Sequence, residues 1–381
     1  MRILYASERP PYPFFLGGAA RCAHQLLVSM ASELDVECMA VGSSDYAVTG
    51  WGFPAATEFE SLGIKTSHSD KGSIDCGYPI QVLPDFTRAL SDFIDNYKPD
   101  IIWAQLEGAK EVLALAKQKG IQGLYYVHDA EFDPAELCAI ADLGCHMICS
   151  SGFLASKASK VIGRPCHVVY PASELYFGIE GECDGPITMI NPFDVKGVDT
   201  FFEIAKRMPD EKFLLLESWK LNDKALAKLE AQLSTLPNVD FQRRVSDMQS
   251  IYSQTRLLIA PSVWEEGFGM VAIEAQSCRI PVIASARGGL PESVGDGGIL
   301  IDDYRNADTW VEAIRSVLSN ETNYQKWSEL AYQHARSDDF LPLELSRRFL
   351  AVCLAPPKQD TGHFGFLRAL PFIRHLFHRS R

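Results

Sequence analysis

The sequence predicts an α/β protein of two domains. Its 381 residues exceed what one ordinary core holds and suit two. Short apolar runs of strand length alternate with longer amphipathic runs of helical period. A polar, glycine-rich stretch, residues 178–186, falls near the middle and reads as the linker between them.

The chain begins on a short buried strand, residues 3–7, with no signal peptide ahead of it. A Pro-rich turn and Gly17-Gly18 lead into a helix over 19–33. Strand, Gly-Gly turn and helix let backbone N–H groups approach an anion or a sugar, although a tight packing turn reads the same way. Residues 36–41 form a second strand, and 43–75 are turn-rich without a period, which predicts a loop-rich insertion. A helix over 84–97, a strand over 101–104 and a helix over 107–119 follow. The buried strand 123–127 ends in His128-Asp129, and ligands of open α/β sheets bind beyond such carboxyl ends. A strand over 147–150, a helix opened by the serine cap of Ser151, and a strand over 167–170 complete the first domain.

The second domain starts with a strand over 187–190, then Asn191 and the turn that carries Lys196-Gly197. A helix (199–208), a strand (212–216), a helix with a solvated Lys/Glu face (223–236) and a strand (239–241) precede Arg243 and Arg244. Ser246-Asp247 reads as the cap of a short helix through Tyr252. An apolar strand then runs into Glu265-Glu266-Gly267-Phe268-Gly269, and a helix begins at Met270 with Val271 turned to a core. A glycine turn entering a helix leaves the first N–H groups without intrahelical partners, at the positive end of the dipole, which suits a phosphate. Glu266 before that point and Glu274 within the helix can accept hydroxyl hydrogen bonds on either side of it. Helices over 306–318, 324–336 and 339–354 follow.

Composition narrows the function. A net charge of −13 argues against general nucleic-acid binding. Ten cysteines without a CxxC pair predict buried thiols in a reducing cytoplasm. No apolar run is long enough to span a bilayer. Residues 361–381 hold four arginines and no acid, interleaved with apolar residues at near-helical spacing. That tail can lie peripherally on an anionic membrane or pack on its own acidic protein.

Glu266-Gly267-Phe268-Gly269, Glu274-Ala275, Pro281-Val282-Ile283-Ala284 and Gly288-Gly289-Leu290-Pro291-Glu292 resemble, in order and spacing, the donor-site signature of glycosyltransferase family 4. These glycosyl transferases of group 1 are retaining nucleotide-sugar enzymes. The resemblance implies the GT-B fold: two Rossmann-like domains facing a central cleft, with a C-terminal helix crossing back to the first. It assigns 1–180 to acceptor binding, 186–336 to donor binding and 337–356 to the crossover, ahead of the basic tail 361–381. It further implies that Glu266 orients the donor sugar, His128 contacts the sugar and diphosphate, and Lys196 clamps the leaving group. Glu274 would hold the ribose, and Gly267, Phe268, Gly269, Met270, Val271, Gly17 and Gly18 would border the donor.

Three departures stand out. The family commonly has Gly-Arg where this chain has Ile190-Asn191, so Arg243 or Arg244 would have to supply the missing charge at the donor, unless both are solvated surface charges. Pro171-Ala172-Ser173-Glu174 replaces the usual Pro-Asn-Gly-Val-Asp, and Arg279 replaces a glycine, as a tolerated surface change. The implied activity is retaining transfer from a nucleoside diphosphate sugar to a hydroxyl of a glycan, lipid-linked or small-molecule acceptor. Cell-surface polysaccharide or glycoconjugate biosynthesis is the expected setting, with no metal or cofactor. The alternatives are a non-catalytic nucleotide-sugar-binding subunit and another GT-B enzyme, such as a sugar-nucleotide epimerase.

Overall fold

A computed structural model describes residues 1–44, 67–68, 74–245 and 247–355. Most of the expected insertion over 43–75, Ser246 and the basic tail lie outside the described residues.

The first sheet contains β1 (Arg2–Ser7), β2 (Glu37–Ser43), β3 (Ser67–His68), β4 (Ile74–Asp75), β5 (Pro79–Leu83), β6 (Ile101–Ala104), β7 (Gln122–Val127), β8 (His146–Cys149) and β9 (His167–Val168). Their spatial order is β3-β4-β5-β2-β1-β6-β7-β8-β9. The β3-β4-β5 edge is antiparallel and every other pairing is parallel. The second sheet contains β10 (Ile187–Ile190), β11 (Phe213–Leu216), β12 (Val239–Gln242), β13 (Leu257–Ala260), β14 (Val282–Ser285) and β15 (Gly298–Ile301). It is wholly parallel, in the order β12-β11-β10-β13-β14-β15.

Parallel strands covered by helices on both faces read as continuous apolar runs, and these do. In β1 the side chains alternate between two cores. Ile3 and Tyr5 enter one with the helix Gly18–Glu33, and Leu4 and Ala6 enter the other with the helices Phe86–Tyr97 and Ala109–Gln118. Two further cores sandwich the second sheet.

The last described helix, Pro342–Leu354, belongs in space to the first domain. Pro342 occupies its first turn, where a missing N–H costs nothing. Leu345, Phe349 and Leu350 are buried against the first sheet, with the Phe349 ring 4.7 Å from that of Trp103. The second half of the chain thereby returns to brace the first.

One helix, Pro134–Ala141, falls where the sequence shows no helical period, because its apolar residues surround it almost completely. Its start is nevertheless marked: the Asp133 side chain accepts from the Ala135 N–H, and Pro134 sits in the first turn.

Candidate active site

In a parallel sheet of this order, the chain winds away in opposite directions from β10 and β13, and a crevice opens beyond their carboxyl ends. The segments leaving those two strands carry the charged residues of the site. After β10 the chain turns through Asn191 and a single 3-10 turn, Asp194–Lys196. After β13 it runs through Ser262 and Glu266 to the helix Met270–Ser277.

Lys196 and Glu266, 70 positions apart, meet there. The Lys196 Nζ donates to both Glu266 carboxylate oxygens, at 2.7 and 2.9 Å, and Ser262 Oγ donates to Oε1 at 2.7 Å. Both side chains of the pair are only 13–14% exposed. The ammonium also lies 4.7 Å from the Trp219 ring centroid and 4.8 Å from that of Trp264. Cation–π attraction from two sides and a bidentate carboxylate leave the lysine little freedom.

The helix Met270–Ser277 starts at Gly269, whose φ of 98° lies in the left-handed region that glycine enters without strain. Gly269 has no side chain to cap the first turn, and an uncapped helix start of this kind suits an anion. Glu274, one turn on, accepts a hydrogen bond from the Tyr252 hydroxyl at 2.7 Å. Burial raises the Glu274 carboxyl above the usual range, against the lowering effect of that bond and of Arg21.

The first domain closes over this surface. A Cβ added to Gly18 would lie 3.4 Å from the Met270 sulfur, so the Gly17-Gly18 turn sits directly against the start of the helix. A Cβ on Gly267 would fall 1.9 Å from the His128 carbonyl oxygen, so any side chain there would separate the two turns. The orientation of His128 is set by Gln105, which is fully buried. The Gln105 amide nitrogen donates to the Ala19 carbonyl at 2.9 Å and to the Tyr5 hydroxyl at 3.1 Å, which turns its oxygen toward His128 Nε2, 2.8 Å away. His128 therefore carries its proton on Nε2 and keeps the lone pair on Nδ1. Burial pushes this imidazole down to about 3, so it is neutral at physiological pH.

Three residues expected at the donor have side chains engaged within the protein. Phe268 is 4% exposed, with its ring against Tyr170 and Phe340 in an apolar cluster at the domain junction. Arg243 is half exposed and already paired: its Nε donates at 2.6 Å to Glu217, a buried carboxylate whose other oxygen accepts from the Leu221 N–H. Asn191 is buried, and its side-chain oxygen accepts from the Ser218 and Trp219 N–H groups at 3.1 and 2.6 Å. Asn191 thus fixes the loop that lays Trp219 on Lys196. Arg244, by contrast, stands close enough to Arg21 of the first domain for the two charges to repel. Burial foremost, and then Arg21, pushes its pKa down. The side chains of Met270 and Val271 are partly buried, packed against neighbouring apolar clusters.

Sequence reasoning did not single out Ser262, Trp219, Trp264, Tyr252, Gln105 or Arg21. Apart from Ser262, four residues before Glu266, each acts through a partner far away in the chain. Arg279 is also more than a surface change: it holds the left-handed φ of 60°, pairs with Glu329 at 2.6 Å and Glu180 at 3.2 Å, and lies 3.9 Å over the Tyr332 ring.

Two Rossmann-like domains, each with its ligand-bearing turns beyond the carboxyl ends of the strands and with a helix returning from the second to the first, define the GT-B fold. Solved structures agree. Anabaena HepE in complex with UDP-glucose superposes with a TM-score of 0.70 at 17% identity, over 93% of this chain and 99% of that one. Sucrose-phosphate synthase from Thermosynechococcus elongatus gives 0.72 at 15% identity, over 92% and 98%. Residues 191–334, within the second domain, match the family described as glycosyl transferases group 1. Curated relatives include the D-inositol 3-phosphate glycosyltransferase of Corynebacterium glutamicum, 26% identical over 275 residues, 69% of this chain and 62% of that protein. The enzyme of that name from Mycolicibacterium smegmatis is 34% identical over 135 residues, 33% of this chain and 31% of the relative.

Proposed function

We propose that this chain transfers a sugar from a nucleoside diphosphate sugar to an acceptor hydroxyl, with retention at the anomeric carbon. The observation that carries the reading is the coincidence, at one switch point, of an uncapped helix start, the Lys196–Glu266 pair and Glu274, with the Gly17-Gly18 turn above them. Cleaving the anomeric C–O bond expels a diphosphate, so charge stabilisation on that group is the chief requirement. The Met270 and Val271 N–H groups and Lys196 meet it, and Arg244 with Arg21 adds the charge that Asn191 does not bring. Glu274, with the Tyr252 hydroxyl beside it, receives the ribose hydroxyls. Glu266 faces the donor sugar, held in place by Ser262 and by Lys196 until the phosphate competes for the ammonium. His128, neutral and oriented by Gln105, presents an acceptor nitrogen to a sugar hydroxyl.

UDP-sugars are the first donors to test, because the HepE structures contain UDP and UDP-glucose. Among acceptors, the names of the curated relatives put inositol phosphate first, followed by glycan and lipid-linked hydroxyls. The test is release of free nucleoside diphosphate from each donor with and without acceptor. Release that depends on acceptor, with a new α-linked product, supports the proposal. Tight donor binding with no turnover across the acceptor panel would refute it in favour of a binding subunit.

A further inference from the structure

We propose that Glu292 is a positioning residue for this transfer: it latches the two domains together and, through the Gly288-Gly289 turn, sets the backbone of Glu266. The inference rests on the functional reading above for its kinetic arm only. Glu292 lies in the short helix Leu290–Val294 of the second domain. Its carboxylate crosses to the first domain, where Oε2 accepts from the Gly152 N–H at 2.7 Å and Oε1 from the Phe153 N–H at 2.8 Å. These are the first two donors of the helix Gly152–Ile162, and Ser151 Oγ accepts from the next, Leu154, at 3.1 Å. A negative charge at that end of the helix also meets the favourable pole of its dipole.

A second carboxylate grips the same helix. Lys157 Nζ donates to Glu265 Oε2 at 2.8 Å, so Glu265 reaches into the first domain while Glu266 beside it turns inward to Lys196. The two grips are joined by backbone. The Gly289 N–H donates to the Glu266 carbonyl at 2.8 Å, and a Cβ on Gly288 would lie 2.3 Å from that oxygen. The path from the helix of the first domain through Glu292 and Gly289 to Glu266 is therefore short and has no slack. Closing the cleft brings Glu292 onto the helix and, in the same movement, seats Gly267 under the His128 carbonyl.

Donor-holding groups sit almost wholly in the second domain, so loss of the latch separates binding from turnover. The test uses the full chain in four forms: wild type, Glu292→Ala, Glu292→Gln and Lys157→Met. UDP affinity, kcat and KM are measured alongside small-angle scattering. Glu292→Ala is expected to lower kcat about 10- to 100-fold, the scale of a misplaced reacting group, with UDP affinity nearly unchanged and a larger radius of gyration. Glu292→Gln keeps one accepting oxygen and falls between, and Lys157→Met shifts in the same direction by less. Wild-type kcat and scattering in Glu292→Ala would overturn the proposal, as would a loss of UDP affinity that accounts for the loss of rate. If Glu292→Ala does not fold, Lys157→Met decides on the same criteria. If the wild type transfers nothing, the functional reading fails, and the scattering comparison still decides the latch.

Discussion

Replacing Lys196 by methionine removes the charge from the most tightly framed pair in the site while keeping most of its volume. At 2.7 and 2.9 Å, attraction within the pair is about 6 kcal/mol at an effective dielectric of about 20, before desolvation is subtracted. Removing one member of a buried pair costs about 3–5 kcal/mol, because it strands the other charge, whereas replacing both is close to neutral. The pair keeps 13–14% exposure, and Ser262 still serves Glu266, so the lower end, about 3 kcal/mol, applies. For a domain of this size that corresponds to a fall of about 6–12 °C in the melting temperature. The assay is calorimetry on Lys196→Met, Glu266→Gln and the double variant, scored as a cycle. Lys196→Met is expected to be the least stable of the three and the double variant to recover most of the loss. A Lys196→Met melting temperature within about 2 °C of wild type, less than ~1 kcal/mol, would refute the reasoning, as would additive losses. In turnover, loss of this one preorganised donor is expected to lower kcat about 10²- to 10³-fold.

The tryptophan frame is tested by Trp219→Leu and Trp264→Leu, each expected to weaken donor turnover about 3- to 30-fold, equivalent to the ~0.5–2 kcal/mol of a cation–π contact. The phenylalanine variants, which keep an aromatic face, should lose less, and equal losses in both would exclude the π contribution. Acid stability follows from His128 and His24, pushed by burial down to about 3 and about 4. Both are neutral when folded and take up a proton on unfolding below about 6.5, so their contribution is full above that pH and is lost as pH falls toward 4. Melting temperatures from pH 7 to 4 should fall less steeply in His24→Gln than in wild type, and an unchanged slope would contradict the assignment. At Arg279, held at φ 60°, glycine relieves about 1 kcal/mol of left-handed strain that alanine keeps, while both lose the same exposed ion pairs. Arg279→Gly should therefore be more stable than Arg279→Ala in urea unfolding, and the reverse order would contradict it.

The site was legible in the sequence where its chemistry is local. Glu266, Gly269 and Glu274 lie within one turn and the helix that follows, so their spacing alone places two carboxylates around a helix start. Ser151 announced its helix for the same reason: a cap and the N–H it serves are three residues apart. What stayed hidden depends on long-range contact. No pattern near Trp219 or Trp264 tells that both will face Lys196, and none near Gln105 tells that it will orient His128. Arg243 and Arg244 are neighbours in sequence and were interchangeable as candidates. The fold separates them, giving one to buried Glu217 and turning the other toward Arg21. Asn191 looked like a lost charge, yet its carbonyl oxygen holds the Trp219 loop that frames the remaining one.

The most direct test of the central claim is a crystal structure of the full chain with UDP and a non-transferable UDP-sugar. The account places the diphosphate within hydrogen-bond reach of the Met270 and Val271 N–H groups and of Lys196 Nζ, the ribose on Glu274, and the sugar between Glu266 and His128. A nucleotide bound away from the switch point of β10 and β13, with the Lys196–Glu266 pair undisturbed, would contradict it.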